Sequence, residues 1–176
     1  MQSPSHAHIA LTGHRPPKLD GYDLTTPFYR SLRAKLDEII SDLLDTHDLL
    51  TLHSGLALGA DTVWSQAIID ARETHPDRIR FVAEVPAGQA DRWPADNRRI
   101  WMDHFRAADE TNIYDGWGMV RNIWNRNHAM VRAAGRLIAV WNGRPDGGTG
   151  GTVAHANRLG VPVLRIDPNA IRDEVA

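Results

Sequence analysis

The chain has 176 residues, 42% hydrophobic and 24% charged, with a net charge of -2 and no cysteine. That length suits one domain, 1–176 with a core over about 8–166, able to bury a hydrophobic interior unaided. Disulfides, thiolate zinc sites and cysteine nucleophiles are excluded, and the bulk charge lacks the basic footprint of a duplex-binding module.

The elements follow in chain order. Residues 8–12 read as a strand ending at Gly13, followed by the proline-bearing loop Arg15-Pro16-Pro17-Lys18. Thr26-Pro27 reads as a helix cap with proline at the first helical position, and Phe28, Leu32, Leu36, Ile40, Leu43 and Leu44 recur at helical spacing, which predicts a helix over 27–46. A strand over 49–53 and a helix over 60–74 come next, then a strand over 79–85 stopped by Pro86. The segment 95–109 reads as helix, 111–114 as a short extended piece and 119–134 as helix. A strand over 136–141, a helix over 151–159 and a strand over 161–166 follow, with a polar tail to the end. Strand alternating with helix predicts an α/β fold, a mostly parallel sheet with helices on both faces. Ligands in such sheets sit beyond the carboxyl ends of the strands.

Three turns at those ends carry candidate binding residues. Thr12, Gly13 and Arg15 form the first, with Arg15 offering a planar fork of donors for phosphate or carboxylate. Ser54, Gly55, Gly59 and Asp61 form the second, where Asp61 is expected to brace the turn by accepting backbone N–H bonds. The third is Asp146-Gly147-Gly148-Thr149-Gly150-Gly151-Thr152, with Gly150, Gly151 and Thr152 as its candidate residues and Thr152 capping the helix, binding a ligand oxygen, or both. Glycines admit a ligand close to the backbone, and helix N-termini favour anions. Each turn also reads as a plain packing connection. Neither a Walker lysine nor a Gly-x-Gly-x-x-Gly fingerprint occurs.

The helix 119–134 carries an apolar stripe of Val120, Ile123, Trp124, Met130, Val131 and Ala134, with Asn127 on the same stripe and Arg126 beside it. Asn127 is therefore a ligand-facing residue or a core asparagine with a backbone partner. The nine histidines are scattered without metal-ligand spacing, so no metal and no cofactor are expected. Of six tryptophans, Trp64 and Trp124 are expected in the core, while Trp93, Trp101 and Trp117 suit base stacking or a subunit contact.

Thr-Gly-His-Arg-Pro-Pro-Lys-Leu at 12–19 resembles the opening of YpsA-like proteins of the SLOG superfamily. Ser-Gly-Leu-Ala-Leu-Gly-Ala-Asp at 54–61 is similar to an element of the Smf/DprA branch. Arg126 to Met130 and Gly151-Thr152 resemble the Arg-x-x-x-Met helix and the Gly-Thr of the Lonely Guy branch. The resemblance implies a Rossmann-like fold that binds nucleotides or their derivatives as a sensor or regulator, and self-association as a homodimer or higher homo-oligomer. Lonely Guy proteins cleave the N-glycosidic bond of nucleoside monophosphates with an arginine and a glutamate. By that likeness Arg126 takes the arginine's place, but His155 stands where the glutamate belongs, and Glu84 is the proposed substitute. A histidine does not supply the negative charge that stabilises an oxocarbenium ion.

The leading expectation is thus a small phosphorylated, nucleotide-like ligand at the strand ends. A nucleoside-monophosphate N-glycosidase and a DprA-like single-strand DNA binder are the alternatives. On bulk charge, nucleic acid is not expected as a partner. The N-terminal residues lack the basic and apolar regions of a leader, and no apolar run is long enough to span a bilayer, so a cytoplasmic location is expected.

Overall fold

Strand and helix alternate as β1 (His6–Gly13), α1 (Pro27–Thr46), β2 (Leu49–Ser54), α2 (Ala60–Thr74), β3 (Ile79–Pro86), α3 (Ala95–Ala107), β4 (Glu110–Tyr114), α4 (Met119–Ala133), β5 (Arg136–Val140), α5 (Gly147–Leu159), β6 (Val163–Ile166) and α6 (Pro168–Val175). These come from a computed structural model that describes residues 5–176. Residues 1–4, which the single-domain expectation and the reading of the N-terminus both include, lie outside the described residues. The strands form one sheet in the order β4-β3-β2-β1-β5-β6, and every neighbouring pair is parallel. Parallel neighbours need long crossovers, which the helices supply. The chain runs outward from β1 through β2 and β3 to β4, then returns by α4 to place β5 on the other side of β1. The carboxyl ends of β1 and β5 therefore flank the point where the strand order reverses, the usual place for a ligand crevice.

Alternation along the strands divides the core. Leu11, Leu52, Phe81 and Val140 face Leu32, Leu36 and Ile40 of α1, Trp64 and Ile68 of α2, and Ile171 of α6 in one buried cluster. Ala10, Leu137 and Ala139 face Met130 and Val131 of α4 and Val153 and Ala156 of α5 in the other. Each fully buried leucine contributes about 1.5–3 kcal/mol. Trp64 is buried as expected, and its indole N–H donates to the His53 carbonyl at 3.0 Å.

Three segments differ from their sequence-based expectation. The expected polar tail is α6: the Asp167 carboxylate accepts from Asn169 N at 3.0 Å, Pro168 opens the helix, and Ile171 is buried. Eight residues with two buried positions, Pro168 and Ile171, are too few for a clear helical period. The helix expected over 151–159 begins earlier, at Gly147. Glycine costs about 1 kcal/mol relative to alanine inside a helix, yet here clearance decides. A Cβ on Gly150 would lie 2.6 Å from the Pro145 carbonyl oxygen, and one on Gly151 would lie 2.3 Å from Trp124 Cη2. β6 is also shorter than expected, starting at Val163. No helix of the described residues is long and apolar enough to cross a membrane.

Candidate functional site

At the switch point a cavity of about 520 Å³ opens between the ends of β1 and β5. Thr12, Gly13, His14 and Arg15 form one wall, Asp61 with Ile123, Arg126 and Asn127 the floor, and Asp146 to Thr149 the facing wall. Residues from all three sequence turns or their immediate flanks thus reach one cavity.

Arg126 dominates the floor. It is 4% exposed, and its burial arises from a reversal in α4. Over the first turns of that helix Asn122, Arg126 and Asn127 are buried, whereas Met119, Val120 and Trp124 are exposed. The expected apolar stripe holds only from Met130 onward, and Trp124, expected in the core, is 39% exposed. The guanidinium lies against Gly55, where a Cβ would sit 1.4 Å from Arg126 Nη1. Its nearest carboxylate oxygen, Asp61 Oδ2, is 3.8 Å away, beyond hydrogen-bond length. Nη1 donates over a long 3.5 Å to the Glu84 carbonyl, and Nε has no partner among the described residues. Burial pushes the Asp61 carboxyl up and the Arg126 guanidinium down, and each charge opposes the other's shift. A buried guanidinium with unspent donors is costly unless an anion completes its shell.

The facing wall supplies more donors. Gly147, Gly148 and Thr149 form the first turn of α5 and line the cavity, and Asp146 at the cap makes no side-chain capping bond. The first N–H groups of a helix have no intrahelical acceptor, and the dipole adds positive potential there. At the rim Lys18 pairs with Asp146 at 3.1 Å, while Arg15 is exposed and its side chain makes no hydrogen bond or ion pair among the described residues. The cavity is therefore lined by helix-terminal amides, a buried guanidinium and an exposed rim guanidinium, donors suited to an anionic group.

Thr12, Gly13, Arg15, Asp61, Arg126 and Asn127 all line this cavity. Gly13 also clears a path for α2, since a Cβ there would be 2.3 Å from Ala60 Cβ. Gly55 acts from behind, through Arg126. Ser54 and Gly59 do not reach the cavity. Ser54 Oγ accepts from Leu56 N at 3.2 Å and lies 2.8 Å from Ser65 Oγ. Gly59, at φ +101°, lets the His14 carbonyl approach, and that carbonyl accepts from Ala60 N at 3.3 Å. Asp61 braces its own turn as expected, accepting from Ala57 N at 3.4 Å. Gly150 and Gly151 clear Pro145 and Trp124 rather than lining the cavity. Thr152 lies inside α5 and donates to the Gly148 carbonyl at 2.8 Å, so it neither caps the helix nor faces the cavity. The Glu84 carboxylate also points elsewhere: it lies 3.0 Å from His53 Nδ1 and accepts from the Tyr114 hydroxyl at 2.6 Å. His155 stacks on His128, ring centroids 3.9 Å apart.

Beyond the candidate residues, the cavity is lined by His14 and Lys18, which lie within the motif Thr12–Leu19, and by Asp146 to Thr149, the opening of the third glycine-rich turn. Gln89 is buried and ties the loop after β3 to the second turn, donating to the carbonyls of Gly55 at 3.1 Å and Leu56 at 2.8 Å. Nothing in the local sequence around Gln89 signals this role. Among the described residues no group of three or more His, Asp or Glu is placed to hold a metal.

No family model matches this chain, and no curated protein does. Among solved structures the chain is similar to DNA processing protein A from Helicobacter pylori, whose structure was determined for its single-stranded DNA binding mode. The TM-score is 0.57 at 15% identity, over 97% of this chain and 73% of that one. At that identity the likeness shows the fold, which is the fold of the Smf/DprA branch whose Ser-Gly element the sequence resembles. It also overturns the expectation that nucleic acid is not a partner. That expectation rested on net charge, and a single strand needs only a local basic groove.

Proposed function

We propose that this chain binds single-stranded nucleic acid, seating one backbone phosphate in the cavity between the first turn of α5 and Arg126. The observation that carries this reading is the buried Arg126 guanidinium, whose Nε has no partner among the described residues and whose nearest carboxylate oxygen there is 3.8 Å away. Arg15 closes over the phosphate from the rim. The fold shared with a single-strand DNA-binding protein supports a strand as the bearer of that phosphate. Fluorescence anisotropy of a labelled thymidine dodecamer at low salt tests it. Wild type is expected to bind, and Arg15→Gln to weaken binding by about tenfold, the equivalent of one charge-assisted contact. No binding by a folded protein at low salt would overturn the proposal.

The cavity volume of about 520 Å³ favours a second reading. It falls within the range of small-molecule sites, about 300–1,000 Å³, so a free nucleotide or nucleotide derivative fits there. Thermal shift with nucleoside mono- and diphosphates, ADP-ribose and cyclic dinucleotides separates the two, because a ligand of the native state alone raises the melting temperature. Cleavage of a glycosidic bond has less support. The lining carboxylates are Asp61, directed to Ala57 N and Arg126, and Asp146, paired with Lys18. Incubation with AMP is expected to release no free base.

A further inference from the structure

We propose that the bound strand leaves the phosphate cavity along a tryptophan–arginine track on the exposed side of α4, where its bases stack on Trp117 and Trp124. This rests on the single-strand reading above. Two further hollows continue from the phosphate cavity. One of about 560 Å³ shares Arg15 and Ile123 with it and adds Arg92, Trp93 and Met119. The next, of about 520 Å³, shares Met119 and adds Trp117, Arg121 and Trp124.

The residues along this path are displayed outward against the usual preference. Trp117 is 61% exposed and sits between Gly116 and Gly118, both at positive φ, +93° and +78°. Val120 and Met119 are exposed while Asn122 and Arg126 of the same helix are buried. The helix thus spends polar residues inward and leaves an apolar, aromatic face in water. Large exposed apolar faces mark binding surfaces. Arg121 lies over the Trp117 ring, 4.7 Å from its centroid, and holds the indole while offering its charge to a phosphate.

Charge and continuity select a polynucleotide as the occupant. Arg15, Arg92 and Arg121 punctuate the path, and Asp91 is the one acidic residue lining its two outer hollows. Alternating cations and aromatic faces match the alternating phosphates and bases of a strand, and every base has a π face to stack.

The test compares a labelled thymidine dodecamer with unlabelled dithymidine phosphate in competition, for wild type, Trp117→Ala, Arg121→Gln and Arg15→Gln, each checked by thermal melting. Trp117→Ala is expected to weaken dodecamer binding by at least about fivefold, the low end for one lost stacking contact, and to leave the dinucleotide unchanged. Arg15→Gln is expected to weaken both. Dodecamer binding unchanged in Trp117→Ala and Arg121→Gln, with Arg15→Gln weakening both ligands, overturns the track and leaves the phosphate site standing. Failure of wild type to bind either ligand removes the single-strand reading itself and the track with it. A wild-type dimer by light scattering that Trp117→Ala converts to monomer, with dodecamer binding unchanged, overturns the track by assigning this face to a second copy.

Discussion

At the residue scale Arg126 depends on an absent side chain. Gly55 leaves room for the guanidinium, and Gly55→Ala would place a Cβ 1.4 Å from Nη1. The arginine must then move, so anion binding is expected to fall by at least about tenfold, with about 1–3 kcal/mol of destabilisation from overpacking. Urea unfolding and anisotropy read the two effects separately. Arg126→Met leaves the buried Asp61 without its nearest opposite charge and is expected to cost about 3–5 kcal/mol. Adding Asp61→Asn should recover much of that loss. If the two single costs merely add in a double-mutant cycle, the pair is not coupled and the floor of the cavity is not electrostatically organised as described. Sequence reading marked Arg126 as a candidate and noticed Asn127 on an apolar stripe. It did not anticipate that the whole first half of α4 is reversed, because the hydrophobic period assumes that apolar residues face inward.

At the scale of elements, α4 and α5 meet through Trp124 against Gly151 and through the stacked rings of His128 and His155. Burial first, then the neighbouring charges including Arg132 and Arg158, hold both histidines below their ordinary value of 6.5. The folded state then binds fewer protons than the unfolded state as pH falls through 6.5. Their contribution is present above that pH and is lost below it. The melting temperature is expected to decline under pH 6.5, and the double variant His128→Gln, His155→Gln to decline less steeply. Equal slopes would show that the stacked pair does not sense protons. A residual slope is expected because burial also lowers His14 and His104. Helix α6 reaches the cavity from behind. Arg172 donates to the carbonyls of Lys18 at 3.0 Å and Leu19 at 2.6 Å, and Lys35 pairs with Glu174 at 3.0 Å. Removing residues 168–176 is expected to cost about 1.5–3 kcal/mol from Ile171 alone, and to speed amide exchange in the loop around Lys18. Unchanged exchange there would detach α6 from the site.

At the scale of the molecule, a net charge of -2 does not attract a polyanion, so the proposed strand binding must rest on the local group of Arg15, Arg92, Arg121 and Arg126. Single strands release about 0.7 counterions per neutralised phosphate. Two to four contacts therefore predict a slope of log affinity against log salt of about -1.4 to -2.8. A flat dependence would remove phosphate contacts from the account, and a slope near that of one contact would confine binding to the cavity.

The order of strands and helices as far as β6, the turns at the strand ends and the main packing of α1 and α2 were legible in the sequence, because periods of two and 3.6 residues are written in neighbouring positions. So was the edge of the sheet on which the candidate cavity opens, since parallel strands put their carboxyl ends on one edge. Which glycines line the cavity was decided only in three dimensions. Gly59, Gly150 and Gly151 clear the His14 carbonyl, Pro145 and Trp124, while Gly147 and Gly148 face the cavity. The same holds for Glu84, whose carboxylate is committed to His53 and Tyr114 across strands, and for Arg126, whose burial follows from how α4 docks. Such roles depend on residues far apart in the chain, and local pattern carries no record of them.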